Sequence, residues 1–147
     1  MARQSELFEK SMNHSYPAEL LHTGYTVIDG TVFSMNGKYW MIYKDERSAA
    51  QTIYCSSTDD LGDTFRTCYD WQYMLLQRPV EGPLVFRDIH SDEYHIYVDH
   101  FSDHTQLAGH FTDLGYDHLI DWSDTEKLHL PEEEVRHGSV LAITQKE

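Results

Sequence analysis

The sequence predicts an all-β chain built from repeated antiparallel units. Three observations carry this expectation. Ten Tyr, six Phe and three Trp in 147 residues favour strands over helices. A short pattern recurs three times: a polar residue, a glycine, a small residue and a β-forming run. Its copies are Asp29-Gly30-Thr31-Val32-Phe33, Glu81-Gly82-Pro83-Leu84-Val85-Phe86 and His137-Gly138-Ser139-Val140-Leu141, offset by 52 residues (29 to 81) and 56 residues (81 to 137). Finally, Asn36-Gly37 between two apolar runs is a strong signal for a tight hairpin.

Each element follows in order. In the first unit the run after Gly30 is one strand, Lys38-Tyr39-Trp40-Met41-Ile42-Tyr43 a second and Thr52-Ile53-Tyr54-Cys55-Ser56 a third. Thr58-Asp59-Asp60-Leu61 then breaks the strand, and a fourth, outer strand is expected near Trp71. The second unit repeats this plan. After a longer polar turn from Arg87 to Glu93 come Tyr94-His95-Ile96-Tyr97-Val98, Gln106-Leu107-Ala108-Gly109-His110-Phe111, the break Thr112-Asp113-Leu114, and an outer strand near Trp122. Tyr39 to Tyr43 is apolar on both faces, as a sheet sandwiched between two others requires.

Four-stranded units at this period are the signature of propeller blades. The expected architecture is a partial β-propeller forming one domain over residues 1–147: a four-stranded antiparallel blade at 30–75, a second at 82–130, and the inner strand of a third at 139–144. Leu20-Leu21 and Tyr25-Thr26-Val27-Ile28 suit an outer strand of some earlier blade. The same hairpins also suit a free-standing antiparallel sandwich.

Charge narrows the partners. The formal net charge is −14, from 25 acidic and 11 basic residues. A field of that sign repels phosphate backbones and anionic lipid heads, so nucleic acid and membrane surfaces are poor partners, while a neutral sugar is not penalised. Acidic surfaces also keep many proteins soluble, which by itself accounts for the charge. No apolar run reaches the length of a membrane span, and the first ten residues lack the apolar core of a signal peptide. Cys55 and Cys68 are too few for a disulfide framework or a four-ligand zinc site. Two reduced thiols in a cytoplasmic protein are the expectation.

An ordered set of motifs resembles glycoside hydrolase family 43 and its close relatives. The set is Val27-Ile28-Asp29-Gly30-Thr31, the strand from Gly37 to Glu46, Glu81-Gly82-Pro83, Tyr97-Val98-Asp99-His100-Phe101, and Arg136-His137-Gly138-Ser139-Val140. The resemblance runs from about Tyr25 to Lys146 and covers the third blade, the fourth and the start of the fifth in a five-bladed fold, its C-terminal half. It implies a pocket on the propeller axis, reached by Asp29, Glu81 and His137 from three successive units. It implies Glu81 as general acid, Asp29 as the aspartate that orients the acid and raises its pKa, and an inverting mechanism on arabinose- or xylose-containing glycans. His137 matches an axial histidine that binds water, substrate or a metal ion. No cofactor is required, although a structural calcium or other cation near His137 is compatible. The family's general base is a carboxylate of the first blade, and no residue of this sequence matches it.

Other readings stand beside these. Asp29-Gly30 and Glu81-Gly82-Pro83 are also ordinary turn dipeptides, and His137 an ordinary hydrogen-bonded histidine. Asp99-His100-Phe101-Ser102-Asp103-His104, with His95 nearby, has metal-ligand spacing. It also suits a pocket-rim loop whose Asp99 or His100 touches sugar hydroxyls. Trp40 or Phe101 would supply a stacking surface for a sugar ring. Three functions remain open: a glycosidase completed by a homo-oligomer or by a partner that supplies further blades, a carbohydrate-binding module without turnover, and an inert remnant.

Overall fold

A computed structural model describes residues 20–49, 51–67, 75–76, 78–102, 105–114, 120–122 and 137–140, with 66–67 placed by backbone alone. Seven strands follow in chain order: β1 (Val27–Met35), β2 (Lys38–Asp45), β3 (Ile53–Thr58), β4 (Arg66–Thr67), β5 (Glu81–Arg87), β6 (Tyr94–His100) and β7 (Thr105–Phe111). No helix occurs among the described residues. The strands form two antiparallel meanders, β1-β2-β3-β4 and β5-β6-β7.

The local signals do what their chemistry demands. Asn36 and Gly37 both take positive φ, 52° and 77°, in the tight turn whose twist matches paired strands. The second hairpin has no such pair and uses residues 88–93, closed by a hydrogen bond from Asp88 N to Glu93 O of 2.9 Å. Thr58 ends β3 by turning its hydroxyl onto Asp60 O at 2.9 Å. On the outer edge of β7, His110 and Asp121 exchange two backbone hydrogen bonds of 2.9 Å each, so among the described residues the strand expected near Trp122 is represented by this bridge. Gly109 permits that approach, since a Cβ there would lie 2.7 Å from Ile120 Cγ2. In the first sheet the fourth strand is β4, and Trp71 lies outside the described residues.

Two boundaries differ from expectation. Val27 and Ile28 are not part of an earlier blade; they open β1. The reason is the length of β2, which runs past its apolar core to Asp45 and so offers partners to Val27 (Asp45) and Ile28 (Lys44). Leu21 instead bridges Phe65 in parallel. No strand is formed at Ser139 and Val140, where the inner strand of a third unit was expected; residues 141–144 lie outside the described residues.

The two sheets stack face to face. Trp40, Ile42, Ile53 and Cys55 from the first sheet meet Ile96, Val98, Leu107 and Phe111 from the second in one apolar layer. Phe33 completes it, with ring centroids 5.6 Å from Tyr94 and 6.0 Å from Phe111. Ile42, Ile53, Ile96 and Val98 are each fully buried, worth roughly 1.5–3 kcal/mol apiece before the cost of ordering the chain. The opposite face of β2, Met41 and Tyr43, is covered by Phe65 and Leu21, which is why this strand reads as apolar throughout. β1 and β5, the first strand of each sheet, lie side by side, and Thr31 donates its hydroxyl proton to Pro83 O. This is the arrangement of two adjacent propeller blades with their first strands innermost.

Candidate functional site

The site forms where β1 and β5 begin. Both strands carry a bulge there: pairing skips from Ile28↔Lys44 to Thr31↔Ile42 in one and from Glu81↔Asp99 to Leu84↔Tyr97 in the other. Inside each bulge one residue takes a left-handed backbone, Asp29 (φ 55°) and Gly82 (φ 58°), and His137 repeats it (φ 50°). The structural repeat therefore aligns Asp29 with Gly82 and His137, and Glu81 with Ile28. The simple alignment of Asp29 with Glu81 is displaced by one residue. A one-residue step in a strand changes the face a side chain occupies, and the bulge absorbs that step.

Glu81 is the centre of a charged cluster. Lys44, at the end of β2, sets its Nζ 2.9 Å from Glu81 Oε2 and 2.7 Å from Glu46 Oε1. Its side chain is 7% exposed and that of Glu81 16%. Burial opposes the charge of Lys44, but the hydrogen bonds to Glu46 and Glu81 outweigh it and hold the ammonium above the ordinary lysine value. From the other side His137 Nε2 lies 4.0 Å from Glu81 Oε1 and 3.7 Å from Asp99 Oδ2. Asp29 reaches the same place through the backbone, its Oδ2 accepting a 3.1 Å hydrogen bond from Gly82 N. Gly82 suits this place: its φ is left-handed, and a Cβ there would lie 2.7 Å from His137 Cδ2, so the half-exposed imidazole would have to shift. Asp29, Glu81 and His137, three sequence-distant residues, thus surround one spot.

The other candidates divide. Asp99 is buried against His137, whose backbone N–H it accepts at 2.9 Å. His100 stands at the rim beside Ser102, with Oγ 3.3 Å from Nδ1. Phe101 is half-buried, and the Lys44 ammonium sits 4.7 Å from its ring centroid. Trp40 does not offer a stacking surface: it is 7% exposed, consumed by the layer between the sheets. His95 turns away from the cluster, stacked on Phe86 at 5.3 Å and 3.7 Å from Asp88 Oδ2. Asp103 and His104 lie outside the described residues. Among the described residues no group of three or more His, Cys, Asp and Glu is arranged to hold a metal ion. Beside Asp29, on the opposite face of the first sheet, lies an open depression of about 350 Å³ lined by Leu20, Leu21, Val27, Ile28, Met41 and Tyr43. Asp29 and Gly30 complete its lining, and Glu81 does not line it.

Over residues 6–147 the sequence matches a family related to glycoside hydrolase family 43 and described as "Probable glycosyl hydrolase domain". The chain belongs to this family. No curated protein matches it. Among solved structures it is similar to an α-L-arabinofuranosidase from Podospora anserina in complex with cellotriose, at 17% identity and a TM-score of 0.47, over 60% of this chain and 27% of that one. It is also similar to an exo-β-1,3-galactanase from Phanerochaete chrysosporium with galactose, at 11% identity and a TM-score of 0.47, over 71% of this chain and 28% of that one. The glycosyl hydrolase domain seen here thus spans little more than a quarter of either chain.

Two members of the cluster, Lys44 and Glu46, were visible in sequence only as the polar end of a strand. The signal was nevertheless present: a lysine in period with Trp40 and Ile42 must either be exposed or find carboxylates. No helix among the described residues is long and apolar enough to cross a membrane.

Proposed function

We propose that the domain contributes one side of the axial pocket of an inverting glycoside hydrolase acting on arabinose- or xylose-containing glycans. Glu81 is the proton donor, Asp29 fixes the donor's position, and His137 and His100 face the sugar or a cation near His137. The water-activating carboxylate comes from outside the described residues, in a homo-oligomer or from a partner that supplies further blades. The observation that carries this reading is the convergence on Glu81: a largely buried carboxylate with Asp29 on the adjacent peptide and a histidine 4.0 Å away. Glycoside hydrolysis needs a carboxyl group held in this way, opposite a second one that handles water.

One observation favours a second reading. Glu81 is ion-paired with Lys44 at 2.9 Å, whereas a general acid must present a proton to the leaving oxygen. A pocket that binds a glycan without cleaving it has no need of that proton. One experiment separates the two. The chain and its Glu81→Gln variant, each alone and mixed with the partner segment that carries the further blades, are titrated with arabinotriose by calorimetry and assayed on an aryl arabinofuranoside, the chain alone being expected to turn over weakly or not at all. Hydrolysis lost by about 10²-fold or more in Glu81→Gln, with binding retained, supports the hydrolase. Binding by both proteins without turnover supports the second reading, and no binding by either rejects both.

A further inference from the structure

We propose that Asp99 is a positioning residue of this pocket: its carboxylate clasps the backbone N–H of His137 and thereby fixes His137 against Gly82 and Glu81. Three observations lead there. Asp99 is 6% exposed, and its Oδ2 accepts a 2.9 Å hydrogen bond from His137 N, 38 residues later in the chain. His137 is a side-chain-bearing residue in the left-handed region, φ 50°, a conformation that L-residues hold only when their surroundings impose it. The ring of His137 packs against Gly82, its Cδ2 lying 2.7 Å from where a Cβ would stand, so a displaced His137 would no longer stand against Gly82 and Glu81.

The same device occurs one unit earlier. Asp29 Oδ2 accepts from Gly82 N, and Gly82 is likewise left-handed at φ 58°. A carboxylate of one unit thus captures the backbone of the left-handed residue that opens the next. In this role Asp99 commits its Oδ2 to the backbone of His137 and acts through that residue. The inference rests on the reading of this cluster as part of the working pocket, but its own test needs no sugar.

The test uses the full chain, labelled with ¹³C and ¹⁵N. The unaltered protein is expected to show scalar coupling across the hydrogen bond from the His137 amide nitrogen to the Asp99 carboxyl carbon. In Asp99→Leu the His137 amide is expected to exchange with solvent at least about tenfold faster, and the Gly82 Hα signals to move as the imidazole leaves them. The Ile42 amide, central in the first sheet, keeps its rate, which a general loss of stability would not allow. Asp99→Asn, which retains an acceptor oxygen, restores most of the protection. Absence of the coupling, or unchanged His137 exchange in both variants, overturns the proposal. If Asp99→Leu does not fold, the coupling and Asp99→Asn decide it. A clasp observed in a chain that does not bind arabinotriose would reject the functional reading and leave the clasp standing.

Discussion

Lys44 and Asp45 are neighbours on β2, oppositely charged, both buried, and turned to opposite faces of one strand. They satisfy their charges in different ways. Asp45 is fully buried and answered two residues later by Arg47, whose backbone N–H lies 2.8 Å from Oδ1 and whose guanidinium reaches Oδ2 at 2.5 Å. Arg47 in turn lies over the Tyr25 ring, 3.8 Å from its centroid. Lys44 is answered by Glu46 close by but also by Glu81, 37 residues away on the other sheet. The Asp45 pair closes a loop and is local. The Lys44 pair crosses between two units at the point where Asp29 and His137 also arrive. Only the long-range pair gathers chemistry from several units, which separates a pocket from a structural ion pair.

The largest test of this contrast is to remove the lysine. Lys44→Met leaves two carboxylates facing each other without their cation. It should destabilise the chain by about 3 kcal/mol, at the lower end for a broken buried pair because Glu46 keeps partial access to water. Urea unfolding followed by fluorescence measures it. A loss below about 1 kcal/mol would mean that Lys44 is dispensable to the interface between the sheets.

Arg47→Met should cost less, about 1–2 kcal/mol. Its guanidinium is half exposed, and Asp45 retains the hydrogen bond from the residue 47 backbone. If Arg47→Met proved costlier than Lys44→Met under the same denaturant, the ranking of local and long-range pairs would be reversed.

A pH series sharpens the comparison further. The pKa of Lys44 is raised in the fold, so its stabilising charge is fully present below the unfolded value near 10.5 and is lost as pH rises through the folded value. Tyr43, pushed up mainly by burial, loses stability in the same direction. The informative quantity is therefore the gap between the unaltered chain and Lys44→Met, which should be constant from pH 7 to 9 and shrink above about 10.5. A gap independent of pH would show that packing, not charge, is what Lys44 supplies.

The smallest effect is expected at Asp88, far from the cluster. The backbone N–H of His90, foremost, holds its carboxyl below the ordinary value of 3.8. Its contribution is present above that value and lost as pH falls below it. Asp88→Asn should shift only the acid limb of the melting curve and leave the curve at pH 7 nearly unchanged. A large change at neutral pH would give the second hairpin a weight its exposure does not suggest.

The sequence by itself determined the three inner strands of each of two units and the tight turn at Asn36-Gly37, and it singled out Asp29, Glu81 and His137 as candidates. These depend on local chemistry: alternation or continuity of apolar residues, the turn preference of Asn-Gly, and a glycine in each copy of the motif. Even the burial of β2 on both faces was legible from the unbroken apolar run. Tertiary structure alone decided the rest. The bulges set which residue of each motif takes the left-handed backbone, and so moved the true repeat from Glu81 to Gly82. The stacking of the sheets enclosed Trp40 and brought Lys44 to Glu81. The hydrogen bond of Asp99 to His137 joins β6 to a segment that no local pattern connects with it. Pattern reports which face a residue prefers; the partner of a buried charge is fixed only when two sheets meet, because attraction between charges depends on distances that the chain acquires by folding.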